Sequence, residues 1–200
     1  MQPTSRPNFR PERWAAIASL LITHSYKAIA LGDSILEGFP PDMFQAALGP
    51  NALNVGFGMD GTEQLLWRLE TLDWSRQTPS EVLLMVGTDD LRYPYWDVVC
   101  GIRDVIEHVH RYMPATKVLV LSILPRGQNM RQHEGDIDAI NRSLSEDSKE
   151  EHYVFINAHD DFLCDHKTPC ALFQAGNLHL TRAGYVRLTS FIEAAQTKIP

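Results

Sequence analysis

Three short polar clusters and one histidine carry residue types suited to acyl chemistry. Ser34 lies in GDSI (32–35), a glycine-rich stretch NVGFGMDGT covers 54–62, GTDD covers 87–90, and His179 stands in LFQAGNLHLTRAGY (172–185). A serine at a strand-to-helix turn can expose its hydroxyl while nearby backbone N–H groups point at the same spot, which suits a nucleophile and its oxyanion. Taken singly, each cluster is also ordinary turn or cap chemistry, because Gly, Asp, Ser and Thr favour such positions. The weight comes from their joint placement, since each follows an apolar run.

Those runs, with the polar residues that trail them, are YKAIALGDS (26–34), NALNVG (51–56), EVLLMVGT (81–88), KVLVLSIL (117–124) and HYVFIN (152–157). They are nearly continuous in apolar character, as strands buried on both faces are. Amphipathic stretches at about 12–24, 40–48, 61–72, 96–112, 132–148 and 181–196 fall between them. Strands alternating with helices imply an α/β fold of three layers, α/β/α, around a five-stranded parallel sheet. Ligands of such sheets bind at the carboxyl edge of the strands, where all four features gather. Leu65, Leu66, Trp67 and Leu69 have helical spacing and read as core rather than as a substrate wall.

Length and charge narrow the partners. Two hundred residues, 44% apolar and 22% charged, fit a single domain; Pro3, Pro7 and Pro11 suggest a loose arm over 1–11 ahead of a domain at 12–200. A net charge of -7 without a basic block argues against nucleic acid and anionic membrane as partners. The apolar run from Trp14 to Ile22 is roughly half the ~20 residues that a membrane span needs. Cys100, Cys164 and Cys170 are odd in number and form no CxxC, which favours reduced thiols and a cytoplasmic setting. His159, Asp161, Cys164, Asp165, His166 and Cys170 include potential metal ligands, but their spacings match no zinc pattern and no metal site is expected.

The set resembles the SGNH, or GDSL, hydrolase superfamily, whose flavodoxin-like fold is then expected. The run LNVGFGMDGTEQLLWRLETLDWSRQTPSEVLLMVGTDD with ILPRGQN is similar to the branch containing platelet-activating-factor acetylhydrolase catalytic subunits and bacterial relatives. The resemblance covers about 12–195 and implies a cofactor-free esterase. Ser34 matches the nucleophile and His179 the general base. The oxyanion hole would use the N–H of Ser34, a backbone N–H at Met59, with Gly58 just before it, and a side chain at Asp89. It also implies an acetyl or other small acyl ester of a small molecule or a glycan, and the branch often forms homodimers. Asp33 beside the serine and Tyr93, Tyr95 and Trp96 beyond the third strand are the expected substrate rim.

Three positions depart from the pattern. Met59 replaces glycine, a question of backbone conformation. Asp89 replaces asparagine, and an ionised carboxylate only accepts hydrogen bonds where an oxyanion needs donors. Gly176 occupies the place of the acid that orients the histidine; a backbone carbonyl can serve instead, or a carboxylate from Asp160, Asp161 or Asp165. Two other readings therefore stay open: a module that kept the fold and lost turnover, and a variant inactivated by Asp89.

Overall fold

The computed structural model describes residues 10–149 and 152–197. Five parallel strands, β1 (Ala28–Gly32), β2 (Ala52–Gly56), β3 (Glu81–Met85), β4 (Lys117–Leu121) and β5 (Tyr153–Ile156), pair in the order β2-β1-β3-β4-β5. The seven α-helices among the described residues are α1 (Pro11–Thr23), α2 (Ser34–Glu37), α3 (Pro41–Leu48), α4 (Thr62–Thr71), α5 (Tyr95–Tyr112), α6 (Glu134–Asp147) and α7 (Arg182–Thr197). The expected arm falls largely on 1–9, outside the described residues. Pro11 already begins α1, because its fixed φ and missing N–H suit a first helical turn. The one-turn α2 is not among the helices expected from the sequence.

Side chains alternate across each strand, so the sheet supports two cores. Ile29, Leu31, Val82, Leu84, Val118 and Val120 pack with α1, α4, α5 and α6 on one face. Ala30, Leu83, Met85, Leu119 and Leu121 pack with α2, α3 and α7 on the other. Leu65, Leu66 and Leu69 are core residues, as their spacing predicted. The strand order reverses between β1 and β3, which makes the carboxyl end of β1 a topological switch point.

Two ties join residues that no local sequence pattern pairs. Arg68 of α4 and Asp60 form a buried ion pair, with Nε to Oδ2 at 2.5 Å, and the guanidinium stacks 3.3 Å from the Phe57 ring centroid. This pair anchors the β2–α4 loop. Cys164 and Cys170 are joined in a disulfide, which corrects the expectation of reduced thiols, and Cys100 is the free cysteine. Two cysteines six residues apart meet because the chain folds back between them, so their number alone no longer supports a reducing compartment.

Candidate active site

Ser34 is the first residue of α2, directly after β1. Its N–H is one of the first-turn amides without an intrahelical acceptor. Asp33 caps the helix: its Oδ1 accepts from Ile35 N at 2.8 Å. It is 1% exposed, so it supports the turn from beneath and does not belong to the expected rim. Burial pushes its carboxyl up to about 8, against the pull of the Ile35 hydrogen bond, and the charges of Asp89, Asp60 and Asp90 add to the rise.

His179 Nε2 lies 3.0 Å from Ser34 Oγ across 145 residues of sequence. The histidine is exposed and the serine half-buried, so the pair is open to solvent. His179 sits on a small hairpin: Phe173 bridges Leu180, Gln174 N donates to His179 O at 2.8 Å, and Asn177 N donates to Gln174 O at 3.0 Å. The turn needs left-handed backbone at Gly176 (φ +97) and Asn177 (φ 51). Glycine fits there without steric cost, which accounts for Gly176 in physical terms. Among the described residues no carboxylate lies within 4.0 Å of a His179 ring nitrogen. Asp161 is instead ion-paired with Arg187 of α7, and Asp165 is exposed on the disulfide loop. Asp160 is likewise exposed, in the 3-10 turn Asp160–Phe162. His159, from the same loop, is buried with Nδ1 3.0 Å from Ile123 O.

The β2–α4 loop turns at Phe57–Asp60, closed by Asp60 N donating to Phe57 O at 3.2 Å. Met59 occupies the third position of this turn with φ 68, a conformation that favours glycine. Its side chain is 65% exposed. The Gly58 amide is not available as a donor to substrate, because it donates to Glu37 Oε2 at 2.6 Å.

Asp89 lies in the 3-10 turn Thr88–Asp90 after β3. Gly87 (φ +120) lets the chain enter that turn, and a Cβ there would stand 2.8 Å from Ile123 Cδ1. Arg126 Nη1 donates to Thr88 O at 2.8 Å and to Thr88 Oγ1 at 2.9 Å. Asp90 Oδ2 accepts from Thr62 N at 2.8 Å, tying this turn to the start of α4. Burial raises the Asp90 carboxyl to about 6, and the neighbouring Asp89 contributes. Asp90, Arg126 and Glu37 are not among the residues that the sequence singles out, although Asp90 lies in GTDD and Arg126 in RGQ. Their partners lie on other loops, so no local pattern marks them.

Of the expected rim, Tyr95 (41% exposed) and Trp96 (51%) stand open at the start of α5, edge to face at 6.3 Å. Tyr93 is half-buried against the core, and its hydroxyl accepts from Arg92 Nη2 at 3.1 Å.

The serine hydroxyl and the histidine ring thus meet at the switch point of a doubly wound parallel sheet. Residues 30–187 match the GDSL-like Lipase/Acylhydrolase family, and the chain belongs to it. It is therefore a carboxylic ester hydrolase by family. It is 28% identical over 182 residues to the platelet-activating factor acetylhydrolase IB subunit alpha1 of Homo sapiens, covering 86% of this chain and 78% of that protein. The fold is similar to a GDSL-like lipase from Bacteroides thetaiotaomicron, with TM-score 0.76 and 19% identity over 95% of this chain and 98% of the other. It is also similar to an acetylxylan esterase, a catalytic mutant, from Geobacillus stearothermophilus, with TM-score 0.67 and 15% identity over 85% and 93%. No helix among the described residues is long and apolar enough to cross a membrane.

Proposed function

We propose that this chain hydrolyses small acyl esters, acetyl esters foremost, with Ser34 as nucleophile and His179 as general base. The observation that carries the reading is the 3.0 Å approach of His179 Nε2 to Ser34 Oγ. Ser34 Oγ attacks the carbonyl carbon while its proton passes to Nε2, and the carbonyl oxygen becomes an oxyanion facing the amides of Ser34 and Met59. Collapse expels the alcohol, which takes the proton from Nε2. Water then attacks the acyl-enzyme with His179 again accepting the proton, releasing the acid and restoring Ser34. The hairpin fixes the backbone of His179 through the bond from Gln174 N to His179 O. The open site and the exposed Tyr95 and Trp96 favour a compact acyl group on a larger alcohol such as a sugar, whose apolar face an aromatic ring can cover. The acetyl-directed names of the relatives agree with this choice.

A second reading is favoured by one observation. An aspartate, Asp89, stands in the turn after β3 at the position where the family pattern expects an asparagine donor, and a carboxylate there would suit a module that binds an acylated ligand with little turnover. The two separate in a p-nitrophenyl ester assay. The hydrolase reading expects acetate to be cleaved faster than octanoate, and Ser34→Ala to lose at least ~10³-fold in kcat. Equal rates for wild type and Ser34→Ala would exclude it.

A further inference from the structure

The helix that begins with Ser34 ends with Glu37, and Glu37 reaches back to the second active-site loop. Its Oε2 accepts from Gly58 N at 2.6 Å, a short charge-assisted bond. The same carboxylate contacts Arg10 and has Arg13 Nε 3.9 Å away. Arg13 in turn donates to Gly56 O at 2.9 Å and to Asn54 O at 3.2 Å. Asn54 closes the circuit, with Nδ2 donating to Leu36 O at 2.6 Å and Oδ1 accepting from Gly56 N at 2.8 Å. The chain passes so close here that a Cβ on Gly58 would lie 2.9 Å from Glu37 Oε2 and 3.6 Å from Ser34 Cβ.

We propose that Glu37 is a positioning residue for ester hydrolysis. By fixing the Gly58 amide it holds Met59 in its left-handed turn, so that the Met59 N–H faces the oxygen of the carbonyl that Ser34 attacks. The inference rests on the reading of Ser34 and Met59 given above. Its physical basis is the turn itself. A non-glycine residue with φ 68 persists only where its surroundings over-determine it. One amide before Met59 is pinned by Glu37, and one amide after it, Asp60 N, is pinned by Phe57 O. Because Glu37 lies one turn after Ser34 on α2, nucleophile and oxyanion donor are registered to the same short helix.

The experiment compares Glu37→Ala and Glu37→Gln with wild type in p-nitrophenyl acetate kinetics, thermal unfolding and NMR hydrogen exchange of the Gly58 and Met59 amides. Glutamine keeps an acceptor for Gly58 N, and alanine does not. Glu37→Ala is expected to lower kcat ~10- to 100-fold, up to the loss of one oxyanion donor, with KM within about twofold. Exchange at Gly58 should become faster. Glu37→Gln should recover most of the lost kcat and the protection. Unchanged kcat in Glu37→Ala overturns the inference, as does a parallel loss of kcat and melting temperature in both variants. Failure of the hydrolase reading looks different, since Ser34→Ala would then match wild type. In that case unchanged Gly58 protection in Glu37→Ala would overturn the positioning contact as well.

Discussion

Single residues set the chemistry, and Asp89 and Gly176 stand where the resemblance to the GDSL hydrolases implies an asparagine and an acid. An oxyanion needs a donor, and an ionised Asp89 offers acceptors only. Asp89→Asn is expected to raise kcat for p-nitrophenyl acetate at least ~10-fold at neutral pH, since one oxyanion donor is worth about 10²–10³ in rate. An unchanged kcat would show that Asp89 does not face the oxyanion. Gly176 is different, because its position is committed to turn geometry at φ +97. Gly176→Asp should therefore leave kcat unimproved and lower stability by about 1 kcal/mol, read from chemical denaturation. Nothing in the sequence marked Gly176 as a left-handed turn position, since glycine there is equally compatible with other roles.

Elements decide which side chains arrive at the site. The strands were legible because parallel strands buried on both faces are continuous apolar runs, and the longer helices because their apolar spacing repeats. The one-turn α2 has too few residues for periodicity to declare it, and its cap, Asp33, is buried beneath the turn and not at the expected rim. Burial raises that carboxyl to about 8 from an ordinary value near 4, although the capping bond to Ile35 N pulls the other way. The folded state therefore holds a proton that the unfolded chain releases above pH ~4, and stability falls as pH rises from about 4 towards about 8. Asp33→Asn keeps an acceptor for Ile35 N and removes the titration. Its melting temperature should depend less on pH between 5 and 8 than that of wild type, and an identical slope would contradict the assignment.

At the scale of the molecule, distant loops are tied to one another. Asp90 links the β3 turn to α4, Arg126 reaches back to Thr88, and Gly127 N donates to Asn177 O at 2.9 Å, joining the RGQ loop to the histidine hairpin. The Cys164–Cys170 disulfide closes the loop just ahead of that hairpin, with Phe173 N donating to Cys170 O at 3.1 Å. Thiol titration of the denatured chain should find one reactive cysteine before reduction and three after. Replacing both bonded cysteines with serine should cost about 2 kcal/mol, the loop-closure entropy of so short a bridge. Three thiols without reduction would refute the pairing.

The sequence by itself determined the layered α/β class, the number of strands and the identity of Ser34 and His179 as the pair to watch. The class and the strand number follow from periodicity, and the pair from its placement at strand ends together with the resemblance to the GDSL hydrolases. Only the tertiary structure decided that Asp33 is buried, that Gly58 is engaged by Glu37, that Asp161 belongs to Arg187, and that the cysteines meet. Each of those facts depends on which groups compete for the same hydrogen bond or ion pair, and that competition is settled by distances across loops far apart in the chain.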